Sequence, residues 1–393
     1  MLHIDPVRNP YSPGAGTPPA ALVGRDAEIG DWDVSLRRIE STRPAQPQVL
    51  CGLRGVGKTV LLSNFARQAE KRGWVVARVE ARTGTSLRGA LANALHEPLA
   101  MRARQSAGRK LLTALKTLLS FRASVDTAGT WTFGVDLSGV TGGVADTGSF
   151  ETDLLAVLRD VSRAAADDGR GLAMLVDEAQ DLADDDLTAI CAGAHAASQD
   201  GWALALGLAG LPSLPRILAE AKSYSERLFS FSTIGNLNDA DAGEVLTVPA
   251  TAEGVTWHRD AVHYVVKAAD GYPYFLQEFG QDTWNAAEGS AVTLTDARIG
   301  VATGRAALDD GFFRARWDRA TRGEQRYLRA MAEDGDAGSG SGDVASRLGM
   351  KITSLGPTRS KLIAKGLVYA PEHGVVAFTV PGMADFISRQ ADG

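Results

Sequence analysis

Residues 48–65, QVLCGLRGVGKTVLLSNF, break a run of apolar residues with three glycines, an arginine and a lysine. The segment QVLC predicts a buried strand, and VLLSNFARQAEKR, which follows the break, predicts a helix. Between them, Gly52 to Thr59 fit the pattern G-x-x-x-x-G-K-[ST]. Average residue frequencies give a chance match on the order of once in a hundred chains of this length. A strand, a glycine-rich turn and a helix in this order predict a phosphate-binding loop.

Each residue type in the loop has a chemical role. Glycines let successive backbone N–H groups turn toward an anion, and the following helix presents the positive end of its dipole. Lys58 is expected to reach the β- and γ-phosphates of ATP, and the Thr59 hydroxyl to ligate Mg²⁺. The predicted nucleotide-binding residues of the loop are Gly52, Arg54, Gly55, Val56, Gly57, Lys58, Thr59 and Val60.

A second segment, GLAMLVDEAQDL, carries an apolar strand that ends in Asp177 and Glu178. A carboxylate at the end of such a strand can hold the Mg²⁺ shell opposite Thr59. The next carboxylate points elsewhere and can deprotonate the attacking water. We therefore assign the metal role to Asp177 and the general-base role to Glu178, with Lys58 as a further catalytic group. The alternative is a strand that merely ends in polar residues.

Composition limits the classes of protein that the chain can belong to. It has 393 residues, 45% hydrophobic and 22% charged, with a net charge of −6. No global basic field therefore indicates nucleic acid or an anionic membrane, so any such contact needs a local patch. Two cysteines, Cys51 and Cys191, make no disulfide framework, and no apolar stretch reaches about 18 residues. The N-terminus lacks the pattern of a signal peptide, so we expect a soluble, cytoplasmic protein.

Short apolar runs alternate with helical patterns from residue 21 to about 237, which predicts an α/β core with a parallel sheet. Residues 1–20, rich in Pro and Gly, predict an extended arm with little structure of its own. Period-two alternation in residues 121–126 and 131–137 predicts a hairpin inserted into the core. A single basic helix is expected just before it, containing Arg102, Arg104, Arg109, Lys110 and Lys116. This region is either a solvated helix with an edge hairpin or a contact for DNA or a partner.

The remainder of the chain predicts two more domains. Residues 238–310 contain four helical patterns and no further strands. Residues 311–393, here called the C-terminal module, show three helices and a hairpin, which is a winged-helix pattern. Its third helix is expected to open at Pro357. The fold class is therefore an α/β P-loop NTPase core followed by a helical lid and a C-terminal winged-helix domain.

With these motifs the chain resembles the AAA+ and STAND group of P-loop ATPases, and within that group the origin-recognition-type ATPases. Residues 22–28, LVGRDAE, resemble the motif that lies beside the adenine in those families, which implies a nucleotide contact for Arg25. Gly271-Tyr272-Pro273 resembles the Gly-x-Pro motif of the helical lid, which implies contacts for Tyr272 and Pro273. A small-molecule kinase is disfavoured by Asp177 and Glu178.

The resemblance also implies a catalytic arginine and a slow rate. Arg227 occupies the place of an arginine finger, which would complete the site of a neighbouring copy and stabilise transition-state charge. A surface ion pair is the alternative for Arg227. Residues 207–210 are small and apolar where a polar sensor residue is expected, and the lid motif lacks the sensor arginine. Both departures imply slow hydrolysis.

The winged-helix pattern implies duplex DNA as a partner. The third helix would enter the major groove with its exposed face. The predicted donors to phosphates or base edges are Lys351, Thr358, Arg359, Lys361 and Lys365. Winged helices also dock on proteins, so two functions stay open. One is an ATP-dependent DNA-associated switch, and the other is a signalling or scaffold ATPase with a protein partner.

Overall fold

The computed structural model describes residues 4–14, 16–105, 108–123, 137 and 143–390. The chain divides into two compact units. The sheet unit consists of Asp26–Cys51 and Leu61–Thr233. The helical unit consists of Met1–Arg25, Gly52–Val60 and Ile234–Gly393, so it includes the phosphate-loop residues. No helix among the described residues is long and apolar enough to cross a membrane.

The described part of the sheet unit is built on five parallel strands, in the order β2-β3-β4-β1-β5. Their bounds are β1 Gln48–Cys51, β2 Val75–Glu80, β3 Leu172–Asp177, β4 Leu204–Gly210 and β5 Ser230–Thr233. β1 and β4 are buried along their whole length, and β3 is buried up to Asp177. Such uniform burial is what helices on both faces of a parallel sheet produce. The predicted α/β parallel core is confirmed.

Helices connect and cover these strands. Within the described ranges they are α1 Asp26–Glu40, α2 Lys58–Lys71, α3 Leu87–Gln105, α4 Arg109–Ala123, α5 Phe150–Ala166, α6 Asp184–Asp200, α7 Leu214–Ala221 and α8 Ser225–Leu228. α1 and α2 are tied together by Trp32, which stacks on Phe65 at 4.7 Å between ring centroids and donates its indole N–H to the Phe65 carbonyl. This pair fixes the two helices against each other.

The predicted hairpin is wrong in its first part. Phe121 and Ala123 belong to helix α4, and residues 124–136 lie outside the described residues. The Phe121 ring packs against Phe150 at 6.2 Å and beneath the Arg88 guanidinium at 4.6 Å. Three apolar residues at period two also fit the end of a helix, so the pattern was too short to decide between the two structures.

The basic residues predicted to share one helix are divided between α3 and α4. Two of them bind acidic side chains at the surface. Arg102 lies 3.2 Å from Asp168, and Lys110 pairs with Asp167. Burial, more than the neighbouring charges, lowers the pKa of Arg102. The exposed Lys110–Asp167 pair favours the interpretation of a solvated, ion-paired surface, whereas Arg102 is mostly buried.

The helical unit contains the four predicted helices between 238 and 310. Their bounds are α9 Asp239–Ala252, α10 Arg259–Ala269, α11 Pro273–Ala286 and α12 Leu294–Ala307. The side chain of Asn238 caps α9, and Thr293 with Asp296 forms a capping box on α12. The expectation of no further strands is wrong, because β6 Thr256–Trp257 pairs in parallel with β7 Ala291–Val292. Two-residue strands leave no periodic signal in a sequence.

The N-terminal arm is more structured than its composition predicts. Pro6–Arg8 forms a turn of 3-10 helix, and Tyr11 is buried. The Tyr11 hydroxyl donates to the Leu246 carbonyl and accepts the Trp257 indole N–H at 3.0 Å. Arg8 also donates to Glu253 at 2.9 Å. Single anchoring side chains hold an arm that has no periodic pattern.

The C-terminal module consists of short helices around a small antiparallel sheet. After a π-helical turn, Leu308–Phe313, the elements are α13 Arg314–Asp318, α14 Arg322–Ala332, β8 Ser339–Gly340, α15 Ser341–Leu348, α16 Ile352–Ala364, β9 Val368–Tyr369, β10 Val375–Phe378 and α17 Met383–Ser388. The strand order is β8-β10-β9. The prediction that the third helix opens at Pro357 is wrong, because α16 begins at Ile352 and contains Pro357.

Candidate functional site: the phosphate loop and the acidic end of β3

The loop between β1 and α2 depends on two glycines with left-handed backbone angles. Gly55 has φ +86° and Gly57 has φ +98°. These values favour glycine strongly over any residue with a Cβ. A Cβ on Gly57 would meet nothing within 4 Å, so conformation alone requires glycine there. A Cβ on Gly55 would in addition overlap the Tyr272 hydroxyl.

Lys58, the first residue of α2, is buried with 6% of its surface exposed. Its ammonium group donates to the carbonyl of Gly52 at 2.9 Å and to that of Leu53 at 2.7 Å. The loop therefore curls around its own lysine, and a cation stands at the N-terminal end of a helix where phosphates bind.

Arg25 lies against the same loop. Its Nη2 atom donates to the Gly235 carbonyl at 2.6 Å and to the Val56 carbonyl at 3.3 Å, and 9% of the residue is exposed. The motif LVGRDAE and the phosphate loop, which are separate in sequence, are thus brought together through one guanidinium group. The contact of Arg25 with the nucleotide stays a prediction.

The Leu53–Arg54 and Arg54–Gly55 peptide groups are held from two further sides. Tyr272, which caps α11 ahead of Pro273, donates its hydroxyl to the Arg54 carbonyl. Burial raises the pKa of the Tyr272 phenol, so the hydroxyl stays a donor at neutral pH. The Arg54 N–H donates to the Thr379 carbonyl of the C-terminal module at 3.1 Å. Sequence reasoning found Tyr272 but missed Thr379, because a main-chain acceptor leaves no trace in residue type.

The acidic end of β3 forms a compact polar cluster. The Glu178 N–H donates to Asp177 Oδ1 at 2.9 Å, and Glu178 has the left-handed angles φ 50° and ψ 39°. The side chain of Gln180 donates to Glu178 Oε2 at 2.6 Å and accepts the Leu211 N–H at 2.9 Å. Gln180 was missed from the sequence, where it is one polar residue among several in DEAQD.

The carboxyl ends of the parallel strands β1 and β3 lie at the same edge of the sheet, with β4 between them. The phosphate loop follows the first of these ends along the chain, and Asp177 and Glu178 stand at the second. This edge is where ligands bind in open α/β sheets.

Residues 21–206 match the family model of the AAA ATPase domain. This stretch is similar to AAA ATPase domains. The match includes both motifs, and it confirms the resemblance to P-loop ATPases that the sequence predicted. Residues 310–387, nearly the whole C-terminal module, match the model of a domain of unknown function, DUF8462. No curated protein matches the chain.

Solved structures of three proteins resemble the chain at low identity. The Orc1 protein of Aeropyrum pernix in complex with DNA is 16% identical, with 94% of this chain and 93% of that chain covered and a TM-score of 0.46. Cdc6p of Pyrobaculum aerophilum is 14% identical, covering 99% and 98%, with a TM-score of 0.47. The Holliday junction branch migration motor RuvB of Thermotoga maritima is 11% identical, covering 94% and 96%, with a TM-score of 0.44.

Arg227 lies beyond residues 21–206, which match the AAA ATPase model, on the short helix α8 just before β5. Its side chain is exposed, and its carbonyl accepts the Gln46 side-chain amide at 3.1 Å. An exposed position suits both a finger directed at another copy and a surface ion pair. The role of Arg227 therefore stays a prediction.

The predicted DNA-contacting residues of the C-terminal module differ in their surroundings. Arg359 donates to the Val375 carbonyl at 3.2 Å, and Lys365 donates to Glu324 at 2.6 Å and to the Arg319 carbonyl at 2.8 Å. Lys351 and Lys361 are exposed, and Thr358 is half-buried. Arg359 and Lys365 thus hold the module together.

Exposed apolar side chains accompany α16. Ile352 and Ile363 on the helix, and Met350 just before it, are 56%, 37% and 47% exposed. Three apolar side chains on or just before one helix are therefore open to solvent.

Proposed function

We propose that the chain is an ATP-binding switch that hydrolyses ATP slowly in the presence of Mg²⁺. The observation that carries this proposal is the loop Gly52–Thr59, with two left-handed glycines and a buried lysine at the start of α2. A loop of this form serves anion binding, because it turns backbone N–H groups and a helix terminus toward one point. The AAA ATPase family match supports ATP as the ligand.

The residues present fit Mg·ATP. Lys58 would bind the β- and γ-phosphates, and Arg25, Tyr272 and Pro273 would complete the nucleotide contacts. Thr59 and Asp177 are the proposed ligands of Mg²⁺, which takes its other ligands from phosphates and water. Glu178 would accept a proton from the attacking water. The bound metal would supply charge stabilisation of the phosphoryl group.

Slow hydrolysis is proposed because β4, with the sequence LALGLAG, offers no polar side chain at the end that faces the nucleotide edge. A nucleotide that persists in its site can hold one conformation for a long time. We therefore expect a turnover number below about 1 per second, at the low end of the usual enzyme range.

Titration calorimetry of the intact chain with Mg·ATP and Mg·ADP, followed by a phosphate-release assay, tests this function. We expect saturable binding of both nucleotides and slow release of phosphate that requires Mg²⁺. Absence of adenine nucleotide binding would overturn the function as a whole. Turnover well above about 1 per second would overturn the switch and leave a fast ATPase.

The switch is proposed to act through the C-terminal module on duplex DNA. Lys351, Thr358 and Lys361 on or beside α16 would contact phosphates, with Arg359 and Lys365 keeping the predicted roles only if they leave their present partners. Anisotropy titration of a labelled duplex, with ADP and with a non-hydrolysable ATP analogue, tests this step. Binding that depends on the nucleotide is the expected result.

A protein partner is the second candidate, and the exposed Met350, Ile352 and Ile363 favour it. Apolar side chains on one face suit a protein interface better than a phosphate backbone. In that case the duplex would fail to bind in either nucleotide state. Self-association through Arg227 is proposed for both candidates, and light scattering of R227A against the unmodified chain with the ATP analogue tests it.

A further inference from the structure

Gln180 links the ends of two strands of the sheet unit through a single side-chain amide. Its Nε2 atom donates to Glu178 Oε2 at 2.6 Å, just beyond the end of β3. Its Oε1 atom accepts the main-chain N–H of Leu211 at 2.9 Å, just beyond the end of β4. The first distance is short, as for a hydrogen bond to a charged acceptor, and the second is ordinary for an N–H···O bond.

The two partners fix which way the amide points. The Leu211 N–H can only donate, and an ionised carboxylate can only accept. The amide oxygen must therefore face Leu211 and the amide nitrogen must face Glu178. Among side chains of this length, only glutamine offers a donor and an acceptor together, whereas glutamate in its place would direct a second carboxylate at Glu178.

The end of β4 is shaped to admit this amide. A Cβ on Gly210 would lie 2.6 Å from Gln180 Oε1 and 2.8 Å from Leu214 Cδ2. Side-chain atoms do not approach so closely, so any larger residue at 210 would displace the glutamine. β4 has no polar side chain of its own, and the amide of Gln180 takes the space that such a side chain would use.

Glu178 needs such a restraint because of its backbone. Its angles, φ 50° and ψ 39°, are uncommon for a residue with a Cβ, and its N–H is turned back to Asp177 Oδ1 at 2.9 Å. Left-handed residues of this kind occur at functional sites where the surroundings hold them. The hydrogen bond from Gln180 then restrains where the carboxylate can point.

We propose that Gln180 is a positioning residue of this ATPase: it aims the Glu178 carboxylate and ties its position to the end of β4. The inference rests on the proposed hydrolysis of ATP, with Glu178 as the base. Gln180 acts through Glu178. Its effect is on the rate of hydrolysis, because nucleotide binding does not use the orientation of Glu178.

The test compares Q180A and Q180E with the unmodified chain by nucleotide affinity and by kcat for phosphate release. We expect kcat to fall about tenfold or more in both variants, a part of what a general base contributes, with ATP affinity unchanged within about twofold. Q199A, which removes an exposed glutamine from α6 of the same unit, is the matched control and should keep both values.

A second set of variants separates positioning from a structural role. In the E178Q background, adding Q180A should lower kcat no further, because the group that Gln180 aims is already absent. G210A should also lower kcat, because its Cβ would displace the Gln180 amide oxygen. G207A on the same strand, whose Cβ would meet the Leu175 side chain at 2.8 Å, is its control.

Three results would overturn the inference: an unchanged kcat in Q180A, a fully additive loss in E178Q/Q180A, or a parallel loss of ATP affinity and thermal midpoint. An unmodified chain that binds ATP and releases no phosphate would overturn both this inference and the proposed hydrolysis. That case differs from the first three because it appears before any substitution is made.

Discussion

The phosphate loop and helix α16 are both candidates to bind phosphate groups, yet they use different parts of the chain. The loop works with its backbone, and its left-handed Gly55 and Gly57 set the direction of main-chain groups. α16 would have to work with side chains, and two of the predicted cations, Arg359 and Lys365, already donate inside the C-terminal module. Backbone groups come with every residue, whereas long side chains can be recruited by neighbouring elements.

The contrast teaches that the use of a long side chain depends on the elements packed around it. Lys365 lies beside Glu324, which is almost fully buried, and leaving that carboxylate without its partner would be costly. The packing of the module thus keeps Lys365 paired with Glu324. In the loop, the conformation of the glycines allows few alternatives.

The most disruptive change to the loop is K58A. Removing the ammonium group takes away a charge-assisted hydrogen bond to the phosphates, worth about 2–3 kcal/mol, which is on the order of a 100-fold loss of Mg·ATP affinity. Titration calorimetry measures the change. K71A, at the exposed end of the same helix, should bind ATP as the unmodified chain does. Equal affinities of K58A and K71A would mean that the loop is no phosphate site.

Removing a side chain that the C-terminal module already uses should lower the stability of the folded chain. K365A leaves the Glu324 carboxylate buried without its ammonium partner, and we expect the free energy of unfolding to fall by about 2 kcal/mol. Urea denaturation measures the decrease. Lys361, in the last turn of the preceding helix α16, is exposed, and K361A should change stability by less than about 0.5 kcal/mol. An equal effect of the two variants would show that Lys365 is as available as Lys361.

The Glu324–Lys365 pair also predicts that the free energy of unfolding depends on pH. Burial by itself would raise the pKa of Glu324, but hydrogen bonds from Lys365 and Thr321 outweigh it, so the pKa lies below 4.5, the usual value. A lowered pKa in the folded chain adds stability that is fully present above 4.5 and disappears as the pH falls through the folded value. The difference in unfolding free energy between the unmodified chain and K365A should therefore shrink below about pH 4.5.

Arg54 of the phosphate loop contacts the C-terminal module, and G366A probes that contact. A Cβ on Gly366 would lie 3.0 Å from Arg54 Nη2, at φ +64°. G349A has nearly the same strain, φ +63°, with nothing within 4 Å of its Cβ, so it is the matched control. We expect faster hydrogen exchange of the Arg54 amide, which donates to Thr379, in G366A and unchanged exchange in G349A. Equal exchange would mean that the module does not hold the loop.

Local patterns in the sequence were enough for the sheet core, the loop and the four helices after residue 238. The loop was predictable because its glycines, lysine and threonine stand next to one another and the chemistry fixes their order. The strands of the core were predictable because they are buried on both faces and apolar throughout.

What the sequence could not predict depends on contacts between distant residues. Gln180 becomes important only because Leu211 and Gly210, about thirty positions later, lie opposite its amide. Likewise, Arg359 and Lys365 resemble surface cations until the packing gives them partners. The short strands β6 and β7 and the anchored Tyr11 gave no periodic signal at all.

The smallest expected effect belongs to the cations that remain exposed. If α16 contacts duplex DNA, K351A/K361A should weaken binding several-fold and reduce the slope of log affinity against log salt by about 2, one for each phosphate that is no longer neutralised. Anisotropy titrations between about 50 and 200 mM salt measure that slope. I352S/I363S removes the apolar neighbours and should leave the slope unchanged. If instead the serine variant loses a protein partner while the lysine variant keeps its slope, the helix that appeared the more basic in sequence works through its apolar face.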